Sequence, residues 1–100
     1  MARLDVYPMP GGRPGYVVDV QADLLDQLRT RIAVPLMPER LAPKPITDLN
    51  PVFDIAGEPH VMLTQALASI PAAELKHPAA SLMARHDAIV RALDLLFVGL

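Results

Sequence analysis

The chain has 100 residues, of which 52% are hydrophobic and 20% charged, with no cysteine and a net charge of −2. This charge excludes bulk attraction to nucleic-acid phosphates, and the lack of cysteine excludes disulfides and zinc–thiolate sites. No apolar run approaches the roughly 18 residues of a membrane span, and the early charges at Arg3 and Asp5 do not suit a signal peptide. We therefore expect one domain over residues 1–100 that is cytoplasmic and makes no membrane contact.

The first part of the chain is predicted to form a hairpin. Leu4 and Val6 alternate with polar neighbours, which is typical of a half-buried strand, and residues 16–20 predict a second strand. The segment 8–15 between them is rich in proline and glycine, so an antiparallel pair is expected. Residues 21–30 contain three leucines between acidic residues and predict a loop or one short helical turn.

The middle of the chain is predicted to form further short strands. Residues 31–36 predict a third strand, in which Pro35 indicates a sheet edge, a bulge or a strand end. Residues 52–55 and 60–63 flank a turn and predict a second hairpin. Residues 66–70 are expected to be less regular.

The last quarter changes to helical periodicity. The spacing of 7, 4, 3 and 4 places one stripe of apolar residues on a helix: Leu82, Ile89, Leu93, Leu96 and Leu100. His77, Pro78 and Ser81 are alternative starting positions, and Gly99 predicts the end. Residues 95–100 are apolar where chain ends are usually polar, so they complete the core or a dimer interface, or they form a partner site.

Catalytic and metal sites find little support in the sequence. Asp19, Asp23 and Asp26 lack the glycine and distal glutamate of a calcium loop, so they are interpreted as part of a solvated loop. Neither serine lies in a nucleophile elbow. The three histidines are spread over the chain without cysteine neighbours: His60, His77 and His86. We predict no metal, no cofactor and no catalytic residue.

Five segments in order resemble one toxin family closely. They are residues 18–26, 32–36, 50–55, 68–71 and 95–100, and the likeness runs nearly end to end. The chain is similar to the CcdB family, the plasmid-addiction toxins that poison DNA gyrase. The resemblance implies a mainly β fold, an SH3-like barrel of antiparallel strands with one C-terminal α-helix, which forms a homodimer.

The resemblance also implies a non-enzymatic function. Toxins of this kind enter the cavity of the gyrase A subunits and trap the cleaved gyrase–DNA complex, without direct sequence-specific nucleic-acid binding. A partly disordered antitoxin folds onto the toxin and neutralises it. By resemblance, the gyrase contacts fall on Leu24, Leu25, Asp94, Phe97, Val98, Gly99 and Leu100.

Two of these positions depart from the family pattern. Val98 stands where the family has a tryptophan that stacks on a gyrase arginine, and Asp94 replaces an asparagine. One alternative is therefore a non-toxic member that has lost gyrase poisoning. Another is an mRNA-cleaving toxin of the MazF and Kid type, which shares the barrel. Its basic groove would have to come from Arg3, Arg13, Arg29 and Arg31.

Overall fold

A computed structural model describes residues 2–99, and over this range seven strands and one α-helix form a nearly closed antiparallel barrel with a C-terminal helix. The mainly β fold with a C-terminal helix is confirmed. The elements are β1 (Asp5–Pro8), β2 (Tyr16–Asp19), β3 (Thr30–Pro38), β4 (Val52–Ile55), β5 (Glu58–Met62), β6 (Ala68–Pro71), β7 (Ala80–Ser81) and α1 (His86–Val98).

Both predicted hairpins are present. The sheet order is β4-β5-β3-β2-β1-β7, with β6 paired to β3 beside β5. In the first hairpin Val6 lies opposite Val18. In the second, β4 and β5 are joined by Ala56 and Gly57, whose φ angles are +54° and +80°. Positive φ at both central residues matches the right-handed twist of a two-residue hairpin.

Pro35 lies inside a central strand, and none of the three locations expected for it describes this position. β3 pairs through Thr30–Ala33 with β6 and through Leu36–Pro38 with β5, so Pro35 falls where β3 changes partner. Its carbonyl accepts a hydrogen bond of 2.9 Å from Leu63 N on that side. The N–H and C=O of a strand residue point to the same side. The N–H that proline lacks would therefore point into the gap between β5 and β6. The proline is tolerated there without loss of a ladder bond.

Two strands were not predicted. Residues 68–71, expected to be less regular, form β6 against β3. Residues 80–81, where the helix was allowed to start, form β7 against β1. The sequences of β6 (Ala68–Pro71) and β7 (Ala80–Ser81) are too short to show apolar alternation, and pairing with the backbone of a neighbouring strand defines both.

The helix begins later than the three candidate starts. α1 begins at His86 after a 3-10 turn over Met83–Arg85, and no side chain caps it. Ser81 is still close to this start, since its Oγ accepts a 3.2 Å hydrogen bond from Met83 N. The predicted end is confirmed, because Gly99 has φ +79° and its N–H donates to the carbonyls of Asp94 and Leu95 at 3.1 Å.

The core lies between the inner face of the sheet and α1. Val6, Val18 and Val34 stand side by side on three strands and pack in one cluster with Ile89 and Ala92 of the helix. A smaller cluster on the other face contains Tyr7, Val17, Ala33 and Leu75. Of the predicted helical stripe, Leu82 and Ile89 are buried, whereas Leu93 and Leu96 are only half-buried.

Candidate functional site

The turn before β3 presents two of the residues that the resemblance singled out. A 3-10 turn over Asp23–Leu25 confirms the predicted short helical turn. Leu24 is 90% exposed and Leu25 is 47% exposed, so neither side chain completes the core. Asp23 Oδ1 accepts a 2.8 Å hydrogen bond from Arg3 N, which ties this turn to the start of the chain.

The end of α1 presents the other group of predicted site residues. Phe97 and Val98 are 69% and 64% exposed on the last helical turn. Gly99 follows in the left-handed conformation and turns the backbone away from the helix axis. Leu100 lies outside the described residues. The exposed aromatic and valine side chains form a compact apolar end to the helix.

These two segments meet at one depression, which we call the apolar groove. It lies between the turn and the end of α1 and has a volume of about 440 Å³. Its apolar lining includes side chains from four parts of the chain, and Gln21 also lines it. The main apolar residues are Leu25, Leu28, Ile32, Leu67, Leu93 and Phe97. Leu24 and Val98 are neighbours of lining residues but do not line the groove themselves.

Asp94 lies on a different side of the helix. It borders a shallow hollow with His86, Asp87 and Arg91 of α1, and Asp48 closes the hollow from the loop before β4. The structure therefore brings Leu25 and Phe97 together but not Asp94 with them. The charged Asp94 therefore lies on a different surface from the apolar groove.

Four of the apolar groove residues named above were missed as site residues by the sequence analysis. Ile32 was predicted only as a strand residue. Leu28 is an apolar residue in an otherwise polar loop, which was a usable signal in the sequence, and it is 50% exposed. Leu93 was predicted as core because it belongs to the helical stripe. Leu67 precedes β6, and nothing in the local sequence indicates that it faces the helix.

One of the four arginines that the basic groove of an RNA-cleaving toxin would need is not available at the surface. Arg31 is fully buried, and its Nη2 lies 2.7 Å from Asp19 Oδ2. Its charge is already paired and is shielded from solvent, which removes one of the four candidate cations. This observation weighs against the ribonuclease alternative.

His60 is held in the core by contacts within the protein. His60 is 3% exposed, its Nδ1 lies 2.8 Å from Glu58 O, and the Tyr16 ring meets it edge-on. Within residues 2–99 no group of three or more His, Asp or Glu side chains is arranged to hold a metal ion. Over the same residues no helix has the length and apolarity to cross a bilayer.

Over the described residues, an antiparallel barrel exposes leucine and phenylalanine side chains beside its C-terminal helix, and such an apolar surface is typical of small proteins that bind another protein. The sequence model for the family described as CcdB protein matches residues 3–99, so the chain belongs to the CcdB family. Toxins of this family are non-enzymatic gyrase poisons, and in general their partners are gyrase and an antitoxin.

Proposed function

We propose that this protein is the toxin of a type II toxin–antitoxin system, that it binds the DNA gyrase A subunit and that it traps the cleaved gyrase–DNA complex. Family membership over residues 3–99 supports the general function. One observation carries the specific proposal: Leu25 and Phe97, to which the resemblance assigns gyrase contacts, line one solvent-exposed groove. Two distant segments thus supply a single apolar surface to a partner.

The energetic contribution of this surface comes from side chains that the free chain leaves in water. Full burial of a leucine or phenylalanine side chain stabilises a complex by about 1.5–3 kcal/mol. Leu24 and Phe97 are exposed enough that a partner would gain most of this amount from each. In this proposal they anchor the complex, and the hollow that Asp94 borders with Asp87 and Arg91 forms its rim.

Val98 limits the affinity of the proposed complex. A tryptophan at this position stacks on a gyrase arginine in the family pattern, and such a contact contributes about 0.5–2 kcal/mol. Valine has no aromatic face, so we propose that poisoning by this chain depends more on the other predicted apolar contacts. These are Phe97, Gly99 and Leu100 at the end of the chain and the two leucines of the turn. Binding is then apolar in character and weakly sensitive to salt.

We also propose that a cognate antitoxin, partly disordered when free, folds onto this protein in the cytoplasm. Coupled folding buries more apolar surface than rigid docking, so calorimetry of the complex is expected to show a large negative heat-capacity change. A small heat-capacity change with a prefolded partner would contradict this part of the proposal.

The test of the main proposal is a DNA-cleavage assay with purified gyrase. Wild-type protein is expected to accumulate cleaved DNA, and a variant that ends at Phe97 is expected not to do so. Circular dichroism of the truncated variant should show an unchanged fold, because Val98 and Gly99 are exposed. Toxicity in cells without any trapped cleavage would rule out gyrase as the target. Unfolding of the truncated variant would show that the chain end is core.

A further inference from the structure

We infer that Gln21, held by the buried Asp19–Arg31 ion pair, positions the turn that carries Leu24 and Leu25. This inference rests on the proposed function, because it assigns Gln21 a purpose at the surface proposed to bind gyrase. Gln21 lines the apolar groove but is only 8% exposed, and both polar atoms of its side chain are hydrogen-bonded within the protein. It is therefore a positioning residue rather than a contact residue.

The side chain of Gln21 joins the turn to the sheet with both of its polar atoms. Its Nε2 donates a 2.9 Å hydrogen bond to Leu25 O, and its Oε1 accepts one of 3.0 Å from Ile32 N. The orientation of the amide is settled by these partners, since a backbone carbonyl only accepts and a backbone N–H only donates. One side chain thus links the apolar turn to β3.

The backbone of Gln21 is itself held by a buried carboxylate. Asp19 Oδ1 accepts a 3.0 Å hydrogen bond from Gln21 N. The other oxygen, Oδ2, accepts a 2.9 Å hydrogen bond from Arg31 Nε and lies 2.7 Å from Arg31 Nη2. Both charged side chains are fully buried, so neither can rotate into solvent without leaving the other unpaired in the core.

This network is the main tie between a highly exposed turn and the barrel. Leu24 is 90% exposed, so its own packing does not define where it lies. The turn's backbone bonds, such as Leu28 N to Leu25 O at 3.2 Å, are local and do not reach the sheet. The second tie, Arg3 N to Asp23 Oδ1, is on the surface. A turn held in one geometry binds a partner with a smaller entropic loss.

The test replaces Gln21 in the full-length protein. Gln21→Met removes both side-chain hydrogen bonds, whereas Gln21→Glu keeps the acceptor for Ile32 N and loses the donor to Leu25 O. Gln65→Met is the matched control, because it removes a hydrogen bond of 2.8 Å between Gln65 Oε1 and Asn50 Nδ2 outside this network. Hydrogen exchange of the free protein and affinity for the purified gyrase A subunit are measured for all variants.

Gln21→Met should speed exchange at Ile32 and at the turn amides of Leu25, Asp26 and Leu28. Gln21→Glu should speed it only in the turn. Both variants should bind gyrase roughly 3- to 30-fold more weakly, which corresponds to the usual contribution of one or two hydrogen bonds. Gln65→Met should change neither the turn amides nor the affinity.

The outcomes separate this inference from the proposed function. Turn amides that exchange as in wild type, or Gln21 variants that bind gyrase as tightly as wild type, would overturn the positioning role while the proposed function stands. Wild-type protein that does not bind gyrase would overturn the proposed function, and with it the purpose assigned to Gln21. The exchange data would then still report whether Gln21 holds the turn.

Discussion

Leu25 and Phe97 line the same apolar groove, although they are far apart in the sequence. Leu25 comes from the turn before β3, and Phe97 comes from the last turn of α1. Their exposures of 47% and 69% show that neither side chain is needed to complete the core. Each can be shortened with little effect on folding, which allows binding and stability to be tested separately.

Leu25→Ala is expected to weaken binding to the gyrase A subunit about 5- to 30-fold, because roughly 1–2 kcal/mol of apolar burial is lost. Leu41→Ala is the matched control, since Leu41 has a similar exposure of 49% and lies outside the groove. Titration calorimetry measures the affinity, and thermal unfolding checks that both variants stay folded. Equal losses of affinity in the two variants would contradict a specific site at the groove.

Val98→Trp is expected to strengthen poisoning of a gyrase that carries the stacking arginine. The gain should be roughly 1–2 kcal/mol, or about 5- to 30-fold, if the indole reaches that arginine without strain. The cleavage assay measures the gain, and Met83→Trp adds the same indole to an exposed position before α1 as a control. If Val98→Trp needs the same protein concentration as wild type for half-maximal DNA cleavage, this position does not face the arginine.

The protein is expected to be a homodimer at micromolar concentration. Its 52% hydrophobic content in 100 residues, together with Ile46, which is 55% exposed outside the groove, leaves apolar surface available for self-association. A stable interface should bury more than about 1,000 Å² in total. Analytical ultracentrifugation measures the oligomeric state, and a monomer at micromolar concentration would contradict the prediction.

Asp19→Asn is expected to lower the free energy of unfolding by about 3–5 kcal/mol, because it leaves the Arg31 cation buried without a counter-charge. Glu58→Gln is the control. This substitution breaks the ion pair between Glu58 and Arg40, whose side chains are 45% and 66% exposed, respectively. It should change the free energy of unfolding by less than about 1 kcal/mol. Urea unfolding measures both values. Similar losses would mean that the buried pair adds no more than a surface pair.

The stability of the protein is expected to fall in alkaline solution. Burial raises the pKa of the Tyr7 phenol above its usual 10.0, and the nearby Asp5 and Asp19 carboxylates raise it further. The native state then keeps a proton that the unfolded state loses. This contribution is full below pH 10.0 and is lost as the pH rises through the native pKa.

Urea unfolding between about pH 9 and 11 brackets the ordinary tyrosine pKa and measures this effect. Tyr7→Phe removes the titrating group and should flatten the decline in unfolding free energy over that range. A decline of equal slope in both proteins would assign it to other groups.

The elements that the sequence predicts are those whose signal is local. Alternation around Leu4 and Val6, the breakers between the first two strands and the helical spacing of Ile89 and Leu93 each depend on neighbours a few residues away. Gly99 ends the helix because a residue without Cβ adopts φ +79° without strain. The resemblance assigned gyrase contacts to Leu24, Leu25 and Phe97. Their side chains are exposed, and the contacts themselves stay a prediction.

Long-range contacts decided the rest. β6 exists because β3 offers its backbone to residues 68–71, and Pro35 is tolerated because β3 changes partner there. Burial of the Arg31 charge depends on the Asp19 carboxylate of the neighbouring strand, 2.7 Å from Arg31 Nη2, whereas in the sequence Arg31 is one of several unpaired cations. Local periodicity determines which face of a segment is apolar. The apolar groove, by contrast, requires two segments with no local relation to be folded against each other, and only tertiary packing does that.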